Sequence, residues 1–145
     1  MKELLLEDTF DSFLYIEGKV TTYADFLIDG TRKKDWYTRD ELEELEDRNN
    51  LLWKEIRPVL FQMIKGNKTP LFFRIVLSPP VSLTGGDFAM NPDDRYFFNI
   101  KYENRKLTIT TGISQKVFSM DRSSEREWDE AASVFLKKKG FAFES

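Results

Sequence analysis

A chain of 145 residues with 41% hydrophobic content, 21 aromatic side chains among them, and a net charge of -3 has the size and make-up of one packed domain, residues 1–145, and not of a disordered segment. It contains neither Cys nor His, which excludes disulfides, thiolate nucleophiles, zinc fingers, iron–sulfur sites and Ser-His-Asp triads and leaves only oxygen ligands for any metal. No cofactor motif is present, and no run approaches the ~18 apolar residues of a membrane span. The opening Met1–Asp8 lacks the apolar length of a signal peptide, so a cytoplasmic location is expected.

The first predicted strand runs over 13–20, with Leu14, Ile16, Gly18 and Val20 on the inner face and Tyr15, Glu17 and Lys19 on the outer. A second strand, Tyr23 to Ile28, meets Asp29-Gly30, a type I′ turn signal. That turn predicts a third strand, Thr31 to Tyr37, whose Arg32, Lys33, Lys34 and Asp35 suit a sheet edge. Thr38 and Glu41 form a capping box that opens a helix carrying Leu42, Leu52, Trp53, Ile56, Leu60 and Ile64 at helical spacing, closed by Gly66. Pro58 predicts a kink or break between Arg48 and Pro58, with Asn49-Asn50 as the breakpoint.

Leu71 to Leu77 reads as a central strand, apolar on both faces except at Arg74. Arg95 to Tyr102 and Lys106 to Thr111 form a hairpin around Glu103-Asn104-Arg105, and Ser114 to Met120 adds a short strand. Ser124 and Glu127 make a second capping box before the stripe Trp128, Ala131, Ala132, Phe135 and Leu136; Gly140 closes that helix and Phe141 can contact Leu136. Strand-strand-strand-helix thus occurs twice, without residue-level identity between the halves. The reading is a single α+β domain: a mostly antiparallel sheet of about six strands with two main amphipathic helices on one face.

Several residue groups invite a chemical reading. Glu17-Gly18-Lys19 on a strand, with Asp11 upstream, fits part of a Mg-dependent phosphodiester-cleaving site, in which carboxylates hold the metal and Lys steadies phosphate charge; a cross-strand ion pair accounts for the same residues. Arg57, Lys65, Lys68 and Arg74 could converge as an anion or nucleic-acid site, with Tyr96, Phe98 and Tyr102 alternating along one strand as in sheets that stack bases. The net negative charge, and the expectation that those aromatics are core, argue against it. Lys65 to Thr69 resembles the tail of a phosphate-binding loop, but lies between helix and strand and lacks the leading glycine. Asp93 and Asp94 have no calcium-loop spacing around them. The segment Ser78 to Asp94 is long for a plain loop, and its Leu83, Phe88 and Met90 are candidate partner-binding residues.

Three stretches together carry a resemblance: Leu4 to Phe13, then Ile56-Arg57-Pro58 leading to Ile64–Leu71, then Trp128-Asp129-Glu130 with Phe135-Leu136-Lys137-Lys138. They resemble an uncharacterised family of small bacterial proteins from Gram-positive anaerobes, a domain of unknown function. The resemblance spans most of the chain and implies no activity, cofactor or catalytic residue; it implies that similar proteins carry about a strand's worth of residues before the position of Met1. The leading reading is a non-enzymatic cytoplasmic binding or protein-interaction module, its partner another protein or further copies of itself. The alternatives are the Mg-dependent enzyme and the nucleic-acid-binding domain.

Overall fold

The computed structural model describes residues 10–44, 49–64, 69–79, 95–114 and 123–138, the last helix by backbone alone at 123–125 and 138. Among the described residues there are five strands: β1 (Leu14–Thr21), β2 (Asp25–Asp29), β3 (Phe72–Ser78), β4 (Arg95–Glu103) and β5 (Lys106–Ser114). The helices are α1 (Arg39–Glu44), α2 (Trp53–Ile64) and α3 (Ser123–Lys138), with a 3₁₀ turn at Lys34–Trp36. The sheet order is β2-β1-β3-β4-β5, antiparallel throughout. The fold is therefore α+β, with five strands where about six were expected.

The missing strand is the one anticipated at 31–37. Asp29-Gly30 does not turn a hairpin: Asp29 Oδ1 accepts the Thr31 N–H at 2.7 Å, and Gly30 is outside the left-handed region that a type I′ turn needs. Thr31 makes a single bridge to Asn50, and the chain then enters the 3₁₀ turn. Arg32 decides this path, because its side chain runs inward to Glu55 instead of outward from an edge. Ser114 is the end of β5, and the remainder of the strand expected at 114–120 lies outside the described residues, as do Gly66, Gly140 and Phe141.

The break in the long helical segment falls at Asn49–Leu52. Thr38 and Glu41 cap α1 reciprocally, Thr38 N–H donating to Glu41 Oε1 at 2.9 Å and Glu41 N–H to Thr38 Oγ1 at 3.2 Å. Between α1 and α2 the backbone bonds like a strand: Tyr15 N–H donates to Leu51 O, Leu51 N–H to Gly30 O, Arg32 N–H to Asn49 O and Trp53 N–H to Phe13 O, at 2.8–2.9 Å. These groups have sheet partners, so no helical bonding is needed there. Pro58 sits within α2 on its exposed side.

Strand β1 buries a different set of side chains from the alternation expected of it. Phe13 and Tyr15 are fully buried before Ile16, and Gly18 and Val20 after it. The pairing with β3 explains the change: Tyr15 faces Leu77 and Glu17 faces Val76, so Ile16 is the extra residue of a bulge that shifts the phase by one. Leu14 and Ile16, expected in the core, are half-buried in consequence. The Tyr15 hydroxyl donates to Ile28 O at 2.7 Å; burial first, then the carboxylates of Glu17 and Asp29, push the phenol well above its ordinary pKa, so it stays a donor.

Both main helices lie on one side. Tyr15, Leu77 and Phe98 are register partners and share a face. Trp53 of α2 packs on Tyr15 (6.2 Å between ring centroids), and Trp128 of α3 on Phe98 (5.2 Å) and Tyr96 (5.4 Å). Phe13 joins the two, stacked on Phe98 at 5.6 Å and tilted on Phe135 at 5.5 Å. Apolar burial of this kind contributes roughly 1.5–3 kcal/mol per large side chain and is the main force holding helices to sheet.

The β4–β5 hairpin closes on Asn104 (φ 53°) and Arg105 (φ 62°), both left-handed, as a type I′ turn requires. Arg is poorly suited to that conformation and Gly is well suited. Arg105→Gly is expected to stabilise the protein by about 0.5–1 kcal/mol, read as a higher urea midpoint with an unchanged slope; a lower midpoint would mean that the turn is not what limits the hairpin.

Candidate functional site

Alternation places a second set of side chains on the face of the sheet away from α2 and α3. From β1 come Glu17, Lys19 and Thr21; from β2, Asp25, Leu27 and Asp29; from β3, Phe72, Arg74 and Val76; from β4, Arg95, Phe97, Asn99, Lys101 and Glu103; from β5, Lys106, Thr108 and Thr110. No described helix packs on this side, which agrees with its mostly polar make-up, Leu27, Phe72, Val76 and Phe97 being the apolar members.

Register gives this face its main feature. Lys19 is directly opposite Arg74, and Arg74 directly opposite Lys101, so three cations lie in one row across three adjacent strands. Like charges in direct cross-strand opposition repel. Each is offset by one acid: Lys19 Nζ is 3.8 Å from Asp25, Arg74 donates to Glu17 Oε1 at 3.3 Å, and Lys101 Nζ is 2.9 Å from Glu103. Lys19 also sits over the Phe72 ring at 5.9 Å. These pairs are exposed enough that each contributes little to stability.

The charge is unevenly spread. On β3, β4 and β5 the face carries Arg74, Arg95, Lys101 and Lys106 against Glu103 alone, while on β1 and β2 it carries Glu17, Asp25 and Asp29 against Lys19. The basic half contains a shallow concavity of about 580 Å³ lined by Arg74, Asn99, Lys101, Glu103, Asn104, Lys106, Thr108 and Thr110. Its walls hold ammonium, guanidinium, amide and hydroxyl donors, a set that can solvate an anion. Of these residues the sequence points to Arg74 alone as an anion candidate; Lys101, Lys106, Asn99, Thr108 and Thr110 come from the structure. The polar alternation of β4 was the available signal, but the row depends on cross-strand register, which no single strand reveals.

The residues proposed for metal-dependent chemistry do not come together. Asp11 precedes β1 on the helical side, with Arg57 of α2 3.2 Å from its Oδ1; the approach is off the hydrogen-bond line, so this buried oxygen has an ion-pair contact and no hydrogen bond. Glu17 and Lys19 point from β1 to the opposite face and pair with Arg74 and Asp25. Among the described residues no three acidic side chains are grouped closely enough to hold a metal ion. Arg57 and Arg74 are likewise on opposite sides of the sheet, and Lys65 and Lys68 lie outside the described residues. Tyr96, Phe98 and Tyr102 are buried beneath the helices. Leu83, Phe88, Met90, Asp93 and Asp94 are outside the described residues.

A second polar cluster lies behind the β1–β2 hairpin. The Arg32 side chain, 1% exposed, forks onto Glu55 with Nη2 2.8 Å from Oε1 and Nη1 3.0 Å from Oε2. Nη1 also donates to the Tyr37 hydroxyl at 3.0 Å, and Nη2 to Asn50 O at 3.3 Å; the guanidinium lies 5.4 Å from the Tyr37 ring centroid. Burial would raise the Glu55 pKa, but the hydrogen bonds from Arg32 and from the Leu52 N–H, with the charges of Arg32 and Lys54, bring it below the ordinary value. Both Nη atoms of Arg32 are committed to Glu55, Tyr37 and Asn50 while its buried Nε has no hydrogen-bond partner, and the cluster ties the 3₁₀ region to the start of α2.

No described helix is long and apolar enough to cross a membrane. One protein-family model, described as a family of unknown function and designated DUF5721, matches residues 3–144. No curated protein and no solved structure matches the chain.

Proposed function

We propose, from the premise that the chain belongs to the DUF5721 family of unknown function, that it is a binding module which takes an anionic ligand on the basic half of the sheet face that no described helix covers. The observation that carries this reading is the concavity on β3, β4 and β5, where Arg74, Lys101 and Lys106 stand together against Glu103 in a chain whose net charge is -3. The ion pairs of Arg74 with Glu17 and of Lys101 with Glu103 are exposed and weak, so Arg74, Lys101 and Lys106, with the hydroxyls of Thr108 and Thr110, remain able to share an anion. A binding role also agrees with the engagement of Asp11, Glu17 and Lys19 in separate ion pairs.

The test is calorimetric titration with inorganic tripolyphosphate, a poly-glutamate peptide and a short oligothymidylate. At least one probe is expected to bind at low salt and to weaken as salt rises. Arg74→Ala combined with Lys101→Ala is expected to weaken it tenfold or more, while Arg39→Ala on α1 leaves it unchanged. Absence of binding by all three at low salt, or binding indifferent to the double substitution, would overturn the proposal. The probe that binds identifies the class: binding of oligothymidylate alone would make this a nucleic-acid-binding face built around Arg74 and Lys101.

A further inference from the structure

The two edges of the sheet are built differently. β2 is five residues long with Asp25 and Asp29 at its ends, a short edge guarded by charge. β5 is nine residues long, reads Lys-Leu-Thr-Ile-Thr-Thr-Gly-Ile-Ser, and pairs with β4 from Glu103↔Lys106 to Arg95↔Ser114 without a bulge. It has no proline, and its one charge is at the end. Among the described residues nothing pairs with its outer side. A long, regular, nearly uncharged edge is a template for a further strand.

The geometry of the hairpin tells which groups are offered. A two-residue turn closes on a hydrogen-bonded pair, here Glu103 with Lys106, and bonded and non-bonded pairs alternate from there. Lys106, Thr108, Thr110, Gly112 and Ser114 therefore direct their backbone groups to β4. Leu107, Ile109, Thr111 and Ile113 direct theirs to the free edge. The side chains of Leu107, Ile109 and Ile113 pack against the core yet remain half-exposed, so a strand laid alongside would complete their burial.

We propose that this edge is occupied by a second copy of the chain, β5 against β5 about a two-fold axis at Thr110, giving one sheet continuous across both copies. The sequence of β5 is complementary to itself in that register. Antiparallel pairing centred on Thr110 sets Leu107 against Ile113 of the second copy and Ile109 against Thr111, with both pairs repeated by symmetry. These four residues are the ones whose backbone groups are free to bond. On the other face Thr108 meets Gly112 and Thr110 meets its own copy. Lys106, the one charge, meets Ser114 and not another Lys106. This register alone pairs every residue of the strand, since Thr110 is its midpoint. An isologous contact of this kind closes at two copies and leaves no free β5 edge.

Sedimentation equilibrium tests the proposal on the full chain. Wild type is expected at twice the 17.1 kDa chain mass. Thr110→Lys and Thr110→Glu each place like charges in direct opposition at the axis, on an exposed side chain, and each is expected to be monomeric with an unchanged circular dichroism spectrum. Mixing the two variants sets Lys against Glu and is expected to restore the dimer, a result that a folding defect could not produce. A monomeric wild type overturns the proposal. So does a dimer that survives both substitutions, or a mixture that stays monomeric. Mass is the readout, so this result is independent of whether the basic half of the face takes an anion.

Discussion

Glu55→Ala is expected to destabilise the protein by about 3–5 kcal/mol, lowering Tm by roughly 10 °C or more. The loss arises because the guanidinium of Arg32 stays behind, almost fully buried, without the carboxylate that holds two of its nitrogens. The Leu52 N–H at the start of α2 also loses its acceptor, at 3.1 Å in the wild type. Replacing both partners is a milder change, since an apolar pair leaves no orphaned charge: Arg32→Leu with Glu55→Leu is expected to recover most of the loss. A double variant as unstable as Glu55→Ala would show that the contacts of Arg32 with Tyr37 and Asn50 matter more than its charge.

The same pair predicts a pH dependence with a definite sign. The folded-state pKa of Glu55 is lowered, so its contribution is complete above the unfolded-state value near ~4.3 and is lost as pH falls through the lower folded-state value. The stability gap between wild type and Glu55→Ala should hold from neutral pH down to that region and narrow on further acidification. Urea midpoints of both proteins across the acid range measure it. A gap that stays constant would place the effect in packing and not in the ion pair.

Arg32 also marks where reading the chain from its sequence reaches its limit. A run of Lys, Arg and Asp after a turn signal has the composition of a sheet edge, and only the position of Glu55, 23 residues further on, makes its arginine a buried anchor. Local signals did better where the physics is local. The Thr38–Glu41 capping box, the disruption around Asn49-Asn50, the β4–β5 hairpin and the Trp128–Leu136 stripe each depend on groups a few residues apart, and each is present in the fold. In β1 the side chains alternate, but before Ile16 their phase is opposite to the one the sequence predicts, because the bulge there is a property of the pairing with β3. The surroundings of Arg74 depend on the same kind of long-range pairing. Arg74 was singled out, yet what gives it company is the register that puts Lys19 on one side and Lys101 on the other, while its expected neighbour Arg57 faces the opposite layer.

Gly30→Ala is expected to cost about 3 kcal/mol or more, at the high end of what overpacking does, because the added methyl has no flexible neighbour to displace. An ideal Cβ there would lie 2.0 Å from Tyr15 O and 2.7 Å from Ile16 O, both main-chain atoms of β1. Gly30 is also fixed by its own backbone, its N–H donating to Ile16 O and its carbonyl accepting from Leu51 N–H, each at 2.9 Å. Relieving the clash must therefore open either the end of β2 or the 49–52 segment that carries Asn50 and Leu52 to the Arg32–Glu55 pair. Two other glycines give a graded comparison. At Gly18 the Cβ would meet the Tyr15 hydroxyl at 2.5 Å, the far end of a side chain that can move by giving up its bond to Ile28 O, so the cost should be smaller. At Gly112 the nearest atom is Asn99 Nδ2 at 3.4 Å, an ordinary contact in a strand, and Ala should be accepted within about 0.5 kcal/mol. Urea unfolding of the three variants should rank Gly30→Ala as most damaging, then Gly18→Ala, then Gly112→Ala. A Gly30→Ala protein as stable as wild type would mean that the crossing of β1, the end of β2 and the 49–52 segment is looser than its main-chain hydrogen bonds require.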